Sequence, residues 1–312
     1  MHIRPFRHPD DLNDLRRLFE QCRSADGHAP IGEHKYLDLI GGNPETMGFI
    51  FEVANHLMAY VHLNSQAVDA DWVLEAAIHP DYRDPAVIRG VLRSAVDLAI
   101  GVGGGTIRMW TYLPAVTLLV EELGFRQERQ LLQMRLPLPP RQTPTPPRGV
   151  QVTSFRVGTD EAAWIALNNR AFAGHPENGS WTRANLADRI RQDWFDPDGV
   201  LMARQGSELV GFCWTKLHRE SIGEIYVIAV DPDHQGRSLG TWLTLEGLWY
   251  LSRRKQATTA MLYVDAANRS AVGMYERLGF GLDHVDRSFT RDTGVGQPEM
   301  GEPNTRAHDG QA

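Results

Sequence analysis

Cysteine is nearly missing from this 312-residue chain, with only Cys22 and Cys213 present. Two thiols cannot build a disulfide framework, and they fit a reducing compartment, so a cytoplasmic location is expected. No apolar run approaches the roughly 20 residues of a membrane-spanning helix, and no membrane partner is expected. Positive charge is also in deficit, with 32 Lys and Arg against 39 Asp and Glu. A net charge of −7 argues against the clustered basic surface that nucleic acid requires. The phosphate fingerprints Gly-x-Gly-x-x-Gly and Gly-x-x-x-x-Gly-Lys-Ser/Thr are absent, so neither a dinucleotide nor an ATP site is supported. The twelve His residues show no His-Glu-x-x-His spacing, and no metal is expected. The opening Met-His-Ile-Arg-Pro-Phe reads as a first strand rather than a secretory leader.

Proline, by contrast, is concentrated. Residues 137–149 (Pro-Leu-Pro-Pro-Arg-Gln-Thr-Pro-Thr-Pro-Pro-Arg-Gly) cannot form a helix or a central strand, and read as a stiff connector over 139–149. The segments on either side echo each other. Asp231 in Val230-Asp-Pro-Asp233 lies 152 positions after His79 in Ile78-His-Pro-Asp81, and Leu278 in Leu-Gly-Phe280 lies 155 positions after Leu123 in Leu-Gly-Phe125. The pattern predicts one α/β unit used twice, over 1–138 and 150–291, with a disordered polar tail from 292 to 312. In the second half, strands are expected near 150–155, 200–204, 208–216, 223–230, 259–264 and 285–290. Helices are expected near 159–172, 182–193, 239–254 and 268–278. Gln205-Gly-Ser207 reads as a hairpin turn, while the helix 239–254 must cross over to a parallel neighbour, which gives a mixed sheet.

Chemistry gathers around Asp231-Pro-Asp-His-Gln-Gly-Arg-Ser-Leu-Gly-Thr241. A β-branched strand precedes this loop and an apolar helix follows it, so its backbone N–H groups lie at a helix N-terminus, where phosphate binds. Glu224 begins that strand and is a candidate general base; an exposed strand-end glutamate in a salt bridge is the plain alternative. The backbone of Ile228, Ala229 and Val230 can pair with an extended ligand like an added strand and offer an N–H to a developing oxyanion.

The run Gln235-x-x-Ser238-x-Gly240 resembles the pyrophosphate loop of the GCN5-related N-acetyltransferases, with Ser238 in place of the usual first glycine. Further on, Asn268-Arg-Ser-Ala-Val-Gly-Met-Tyr-Glu-Arg-Leu-Gly-Phe280 resembles that family's last helix. The resemblance implies two tandem domains, each a mixed, mostly antiparallel sheet flanked by helices, and acetyl-CoA as co-substrate. It implies cofactor contacts at Gln235, Gly236, Arg237, Ser238, Leu239, Gly240 and Thr241, and along Asn268, Arg269, Ser270, Ala271, Val272 and Gly273. Tyr275 takes the place of the acid that protonates the departing thiolate; a core tyrosine is the alternative. Helix capping alone would explain Asn268. The first half looks degenerate, because Pro85 and Asp84 replace the loop glycines and Val120 stands where Tyr275 would be.

Four phrases carry a narrower resemblance: Asp26-Gly-His-Ala-Pro-Ile-Gly-Glu33, Arg170-Ala-Phe-Ala-Gly-His-Pro-Glu177, Gly211-Phe-Cys-Trp-Thr-Lys-Leu-His218 and Gly223-Glu-Ile-Tyr-Val-Ile-Ala-Val-Asp-Pro232. They are similar to the tandem branch of the family that acetylates the cysteinyl amine of the cysteine-glucosamine-inositol precursor of mycothiol. The implied partner is a small aminothiol glycoside, contacted by Glu33, Glu177, Lys216, Glu224 and Tyr263, and the chain is expected to be a monomer. Acetylation of another small amine or a protein N-terminus, or non-enzymatic acetyl-CoA sensing, are the competing readings.

Overall fold

The computed structural model describes residues 1–42, 46–66, 71–103, 105–175 and 179–294. It divides into two units: residues 1–129 together with the chain from Asp286 onward, and residues 130–285.

The first unit contains β1 (His2–Pro5), α1 (Leu12–Asp26), α2 (Glu33–Gly41), β2 (Thr46–Val53), β3 (His56–Gln66), β4 (Asp71–Ile78), α3 (Pro85–Gly101), β5 (Thr106–Thr111) and α4 (Pro114–Glu122). Strands β1 to β4 pair antiparallel in sequence order, and β4 pairs parallel with β5 through the α3 crossover. The strand beyond β5 comes from the far end of the chain. Residues Arg287–Asp292 pair antiparallel with Thr111–Thr106, and Phe289 lies fully buried among Ile107, Met109 and Val120.

The second unit opens within β6 (Arg126–Pro137). It continues through β7 (Val150–Ser154), α5 (Glu161–Ala171), α6 (Arg183–Ile190), β8 (Val200–Gln205), β9 (Glu208–Leu217), β10 (Ile222–Val230), α7 (Leu239–Arg253), β11 (Thr259–Asp265), α8 (Arg269–Leu278) and the start of β12 (Gly281–Asp292). Its strand order is β6, β11, β10, β9, β8, β7, and among the described residues of this unit the β10–β11 pair alone is parallel. Mixed, mostly antiparallel sheets therefore occur in both units, as the sequence pattern predicts.

The unit boundaries differ from those set by the proline-rich connector. They fall inside β6 and β12, because hydrogen-bonded strand partners outweigh sequence adjacency. Residues 131–137 pair with β11, which carries the connector into the second unit, where Trp249 Nε1 donates to the Gln142 carbonyl at 3.0 Å. The expected tail begins too early as well. Asp292 pairs with Thr106, and the Thr293 N–H donates to the Gly105 carbonyl at 3.0 Å. Residues 295–312 lie outside those described.

Two cores cover the faces of the second sheet. On one, α7 packs Leu243, Leu248 and Leu251 against Cys213, Ile225 and Leu262. That helix lies close to the sheet because Gly247 has no side chain: a Cβ there would sit 2.6 Å from Cys213 Sγ. On the other face, Trp164, Trp181, Phe212 and Trp214 are buried under α5 and α6. Ring centroids 4.7 to 5.5 Å apart from Trp164 make this a tilted and edge-to-face cluster, in which each pair contributes about 0.5–1.5 kcal/mol beyond area burial.

Candidate active site

The parallel ladder between β10 and β11 runs from Ile222/Thr259 to Ile225/Leu262 and then stops, although β10 continues to Val230 and β11 to Asp265. A bulge at Tyr226 coincides with the parting, since Ile225 pairs with Thr215 while Val227 pairs with Trp214. A bulge bends its strand and increases the local twist, which here turns β10 away from β11. Beyond it, the Asp231 N–H donates to the Val210 carbonyl on β9, and Ala229 O also faces β9, 2.9 Å from where a Gly211 Cβ would be. By strand alternation, the backbones of Ile228 and Val230 face the side that β11 has left. This is an internal sheet edge, where the Val230 carbonyl accepts from Gln235 Nε2 at 3.5 Å rather than from a strand.

The open edge leads into the loop. Asp231 accepts from the Asp233 N–H at 3.0 Å and from Arg170, and is buried. Burial alone would raise its pKa, but the Asp233 N–H and the Arg170 guanidinium outweigh it and hold the carboxyl below its ordinary value. Gly236 and Ser238 both adopt left-handed backbone, with φ of 76° and 61°. Ser238 is the N-cap of α7, yet its side chain makes no capping bond. The Trp242 N–H is the first to find a helical partner, the Ser238 carbonyl, which leaves the N–H groups of Leu239, Gly240 and Thr241 aimed out of the helix end. These donors and the open edge fit a pyrophosphate with an extended arm. Gly240 lies 3.7 Å, by its Cβ direction, from Met274 on α8, so α8 flanks the same end of β10.

The matching loop of the first unit is closed by its own chain. Asp84 caps α3 by accepting from the Ala86 N–H at 2.8 Å, and Pro85 removes one donor. The carboxylate sits where an anion would, so that helix end is already neutralised. Val120 is fully buried in α4.

Glu224 lies on β10 before the bulge, 7 % exposed, directly across the ladder from Lys216. His218 Nε2 is 2.6 Å from Glu224 Oε2. Lys216 is also buried, its ammonium 4.1 Å from the Trp194 ring centroid and 5.1 Å from that of Tyr226. Arg189 reaches the Tyr226 hydroxyl at 3.1 Å and stacks over Trp181 at 4.2 Å. Tyr263 on β11 shares the Glu224 face by register, is 39 % exposed, and accepts from Gln133 at 2.6 Å. Tyr275 is on the other face, buried in the α7 core with its ring edge-on to Phe280 at 5.7 Å. Burial, with a smaller contribution from Cys213, pushes its phenol pKa well up, so the hydroxyl is protonated at neutral pH. Its hydroxyl has no hydrogen-bond partner among the described residues.

The geometry suits transfer between two substrates that meet in a split sheet: one along the open edge, the other on the polar face. The Acetyltransferase (GNAT) family model matches residues 162–280, which hold all of these second-unit groups except Gln133. The mycothiol acetyltransferase of Acidothermus cellulolyticus is 41% identical over 299 residues, covering 88% of this chain and 89% of its own. That of Salinispora arenicola is 41% identical over 281 residues, covering 87% and 90%. The chain belongs to the mycothiol acetyltransferase family. It is an N-acetyltransferase, and GNAT acetyltransferases use acetyl-CoA. The fold is similar to that of a tandem GNAT protein from the clavulanic acid biosynthesis pathway, with a TM-score of 0.74 over 95% of this chain and 99% of that one at 16% identity. A GCN5-related N-acetyltransferase from Sphaerobacter thermophilus aligns with a TM-score of 0.68 over 93% and 95%, at 20% identity.

Within this acetyltransferase the expected site residues distribute unevenly. Ile228, Ala229, Val230 and the stretch Gln235–Thr241 form the continuous edge and loop. Asn268 caps α8 by accepting from the Ala271 N–H at 3.1 Å, and Arg269, Ser270, Ala271, Val272 and Gly273 make its first turns. Glu33 starts α2 in the first unit, partly exposed. Glu177 lies outside the described residues. Sequence reasoning missed His218, Trp194, Tyr226 and Gln133. The pairing of His218 with Glu224 depends on a left-handed turn at Glu220 and Ser221 that no glycine marks, and Trp194 follows α6 in an irregular stretch that carries no periodicity. No helix among the described residues is long and apolar enough to cross a membrane.

Proposed function

We propose that the chain transfers the acetyl group of acetyl-CoA to the cysteinyl amine of the cysteine-glucosamine-inositol precursor, completing mycothiol in the cytoplasm. The observation that carries this reading is 41% identity to a mycothiol acetyltransferase over 88% of this chain, joined to a buried carboxylate beside the split in the sheet. Acetyl-CoA lies along Ile228–Val230 with its pyrophosphate on the Gln235–Thr241 donors. A free α-amino group has a pKa of about 7.7–8.0, so about one in ten molecules is neutral at pH 7 and a carboxylate base is adequate. Glu224 accepts the ammonium proton, and the amine lone pair attacks the thioester carbon. The developing oxyanion is met by a backbone N–H of the open edge. The C–S bond then breaks, the amide nitrogen sheds its second proton to water, and the thiolate takes the Tyr275 proton, which solvent replaces. Lys216 and Tyr263 hold the glycoside hydroxyls, which suit a cation and a phenol.

The test is CoA formation by purified protein offered this aminothiol glycoside and a panel of other amines, with Glu224→Gln alongside. Turnover confined to the glycoside and reduced about 10²–10⁴-fold in Glu224→Gln is expected. Preference for another amine removes the substrate assignment. Acetyl-CoA binding without turnover of any amine overturns the enzymatic reading.

A further inference from the structure

We infer that His218 is a positioning residue for the acetyl transfer, holding the Glu224 carboxylate in the orientation that receives the acceptor's proton; this rests on Glu224 being the base. His218 Nε2 and Glu224 Oε2 are 2.6 Å apart, a separation at which a proton must lie between them. With the hydrogen on Nε2, the imidazole donates to Oε2, fixes the carboxylate plane and leaves Oε1 as the acceptor. Glu224 is 7 % exposed, and without that partner its side chain would have to choose among rotamers on the polar face. The charged groups facing this pair are Lys216, directly opposite on β9, and Arg135, which lies two strands away across Met261 on β11.

The backbone under His218 is built to hold it. The His218 N–H donates to the Ile222 carbonyl at 2.8 Å, closing a three-residue hairpin turn. Inside that turn Glu220 and Ser221 take φ of 62° and 58°, two consecutive left-handed residues without a glycine. Such residues are disfavoured by their Cβ and persist only where their surroundings over-determine them. Here the Thr258 N–H clamps the turn by donating to the Ser221 carbonyl at 2.9 Å. The strained turn returns the chain so that the residue just past the end of β9 lies over the third residue of β10.

Steady-state kinetics of His218→Ala and His218→Gln, with thermal unfolding of both, test the inference. The glutamine amide places an N–H donor where Nε2 stands, without the ring. The expected result is a kcat about 10–100-fold lower in His218→Ala with the KM for acetyl-CoA within about twofold, and recovery to within about fivefold in His218→Gln, from the ~1.5–3 kcal/mol of a hydrogen bond to a charged group. Wild-type kcat in His218→Ala overturns the inference. Equal losses in both variants, or a loss tracking a lowered unfolding temperature, also overturn it by making the ring merely structural. Full turnover in Glu224→Gln removes the base and this inference together. A dead Glu224→Gln beside a fully active His218→Ala removes the inference alone.

Discussion

Lys216 stands directly across the β9–β10 ladder from Glu224, and its ammonium lies 4.1 Å from the centre of the Trp194 ring. The negative faces of the two rings hold the ammonium in place, and an ammonium is a hydrogen-bond donor that suits a hydroxyl-rich acceptor. Lys216→Met retains the packing on Trp194 and Tyr226 but removes the donor. The expected outcome is a fall of about 10–100-fold in kcat/KM for the acceptor, corresponding to about 1.5–3 kcal/mol, with the KM for acetyl-CoA unchanged. An unchanged acceptor kcat/KM would show that Lys216 serves only the aromatic cluster.

Tyr275→Phe separates chemistry from packing. The Tyr275 ring is buried in an apolar core and its hydroxyl has no hydrogen-bond partner among the described residues, so removing the hydroxyl costs no bond. Stability measured by thermal unfolding is expected to stay equal or rise. Turnover is expected to fall about 10²–10⁴-fold, the usual worth of a general acid. Loss of stability with retained turnover would make Tyr275 a core residue.

Ser238→Gly addresses the departure from glycine in the loop. Left-handed backbone costs a non-glycine residue about 1–2 kcal/mol, partly offset because glycine makes the unfolded chain more flexible. The Ser238 side chain caps nothing. The glycine variant is therefore expected to bind acetyl-CoA as tightly or more tightly in calorimetry, and a roughly tenfold weakening would assign the binding to the hydroxyl instead.

Asp231→Asn probes the acid side. The native carboxyl is held below its ordinary pKa, so its stabilising contribution is complete above about pH 4 and is lost as pH falls through the lower folded value. Wild type is expected to exceed the variant by about 1–2 kcal/mol at neutral pH, a figure discounted because Arg170 is largely exposed. That difference should shrink towards zero as denaturation is repeated at progressively lower pH. A difference independent of pH would remove the charge argument.

Much of this site was legible in the chain. Glu224, the Gln235–Thr241 loop and the α8 segment occupy short, contiguous stretches, and a helix N-terminus presents donors through local backbone geometry alone. The hairpin at Gly206 and the crossover by α7 were readable for the same reason, since turn chemistry and periodicity are local. The pairing of His218 with Glu224 was not, because it depends on the left-handed turn at Glu220 and Ser221, which no glycine marks.

The sequence by itself determined the mixed α/β pattern, the repeated unit, the glycine-bearing loop at the start of α7 and the identity of the acid and base candidates, because each is written within a few neighbouring residues. Only the tertiary structure decided that β6 and β12 each divide between units, that β10 and β11 part after Ile225, and that Lys216 is enclosed by Trp194 and Tyr226. Strand partners and aromatic cages join positions far apart in the chain. Which of them meet depends on the competition among all possible pairings for buried area and hydrogen bonds, and no local pattern encodes that outcome.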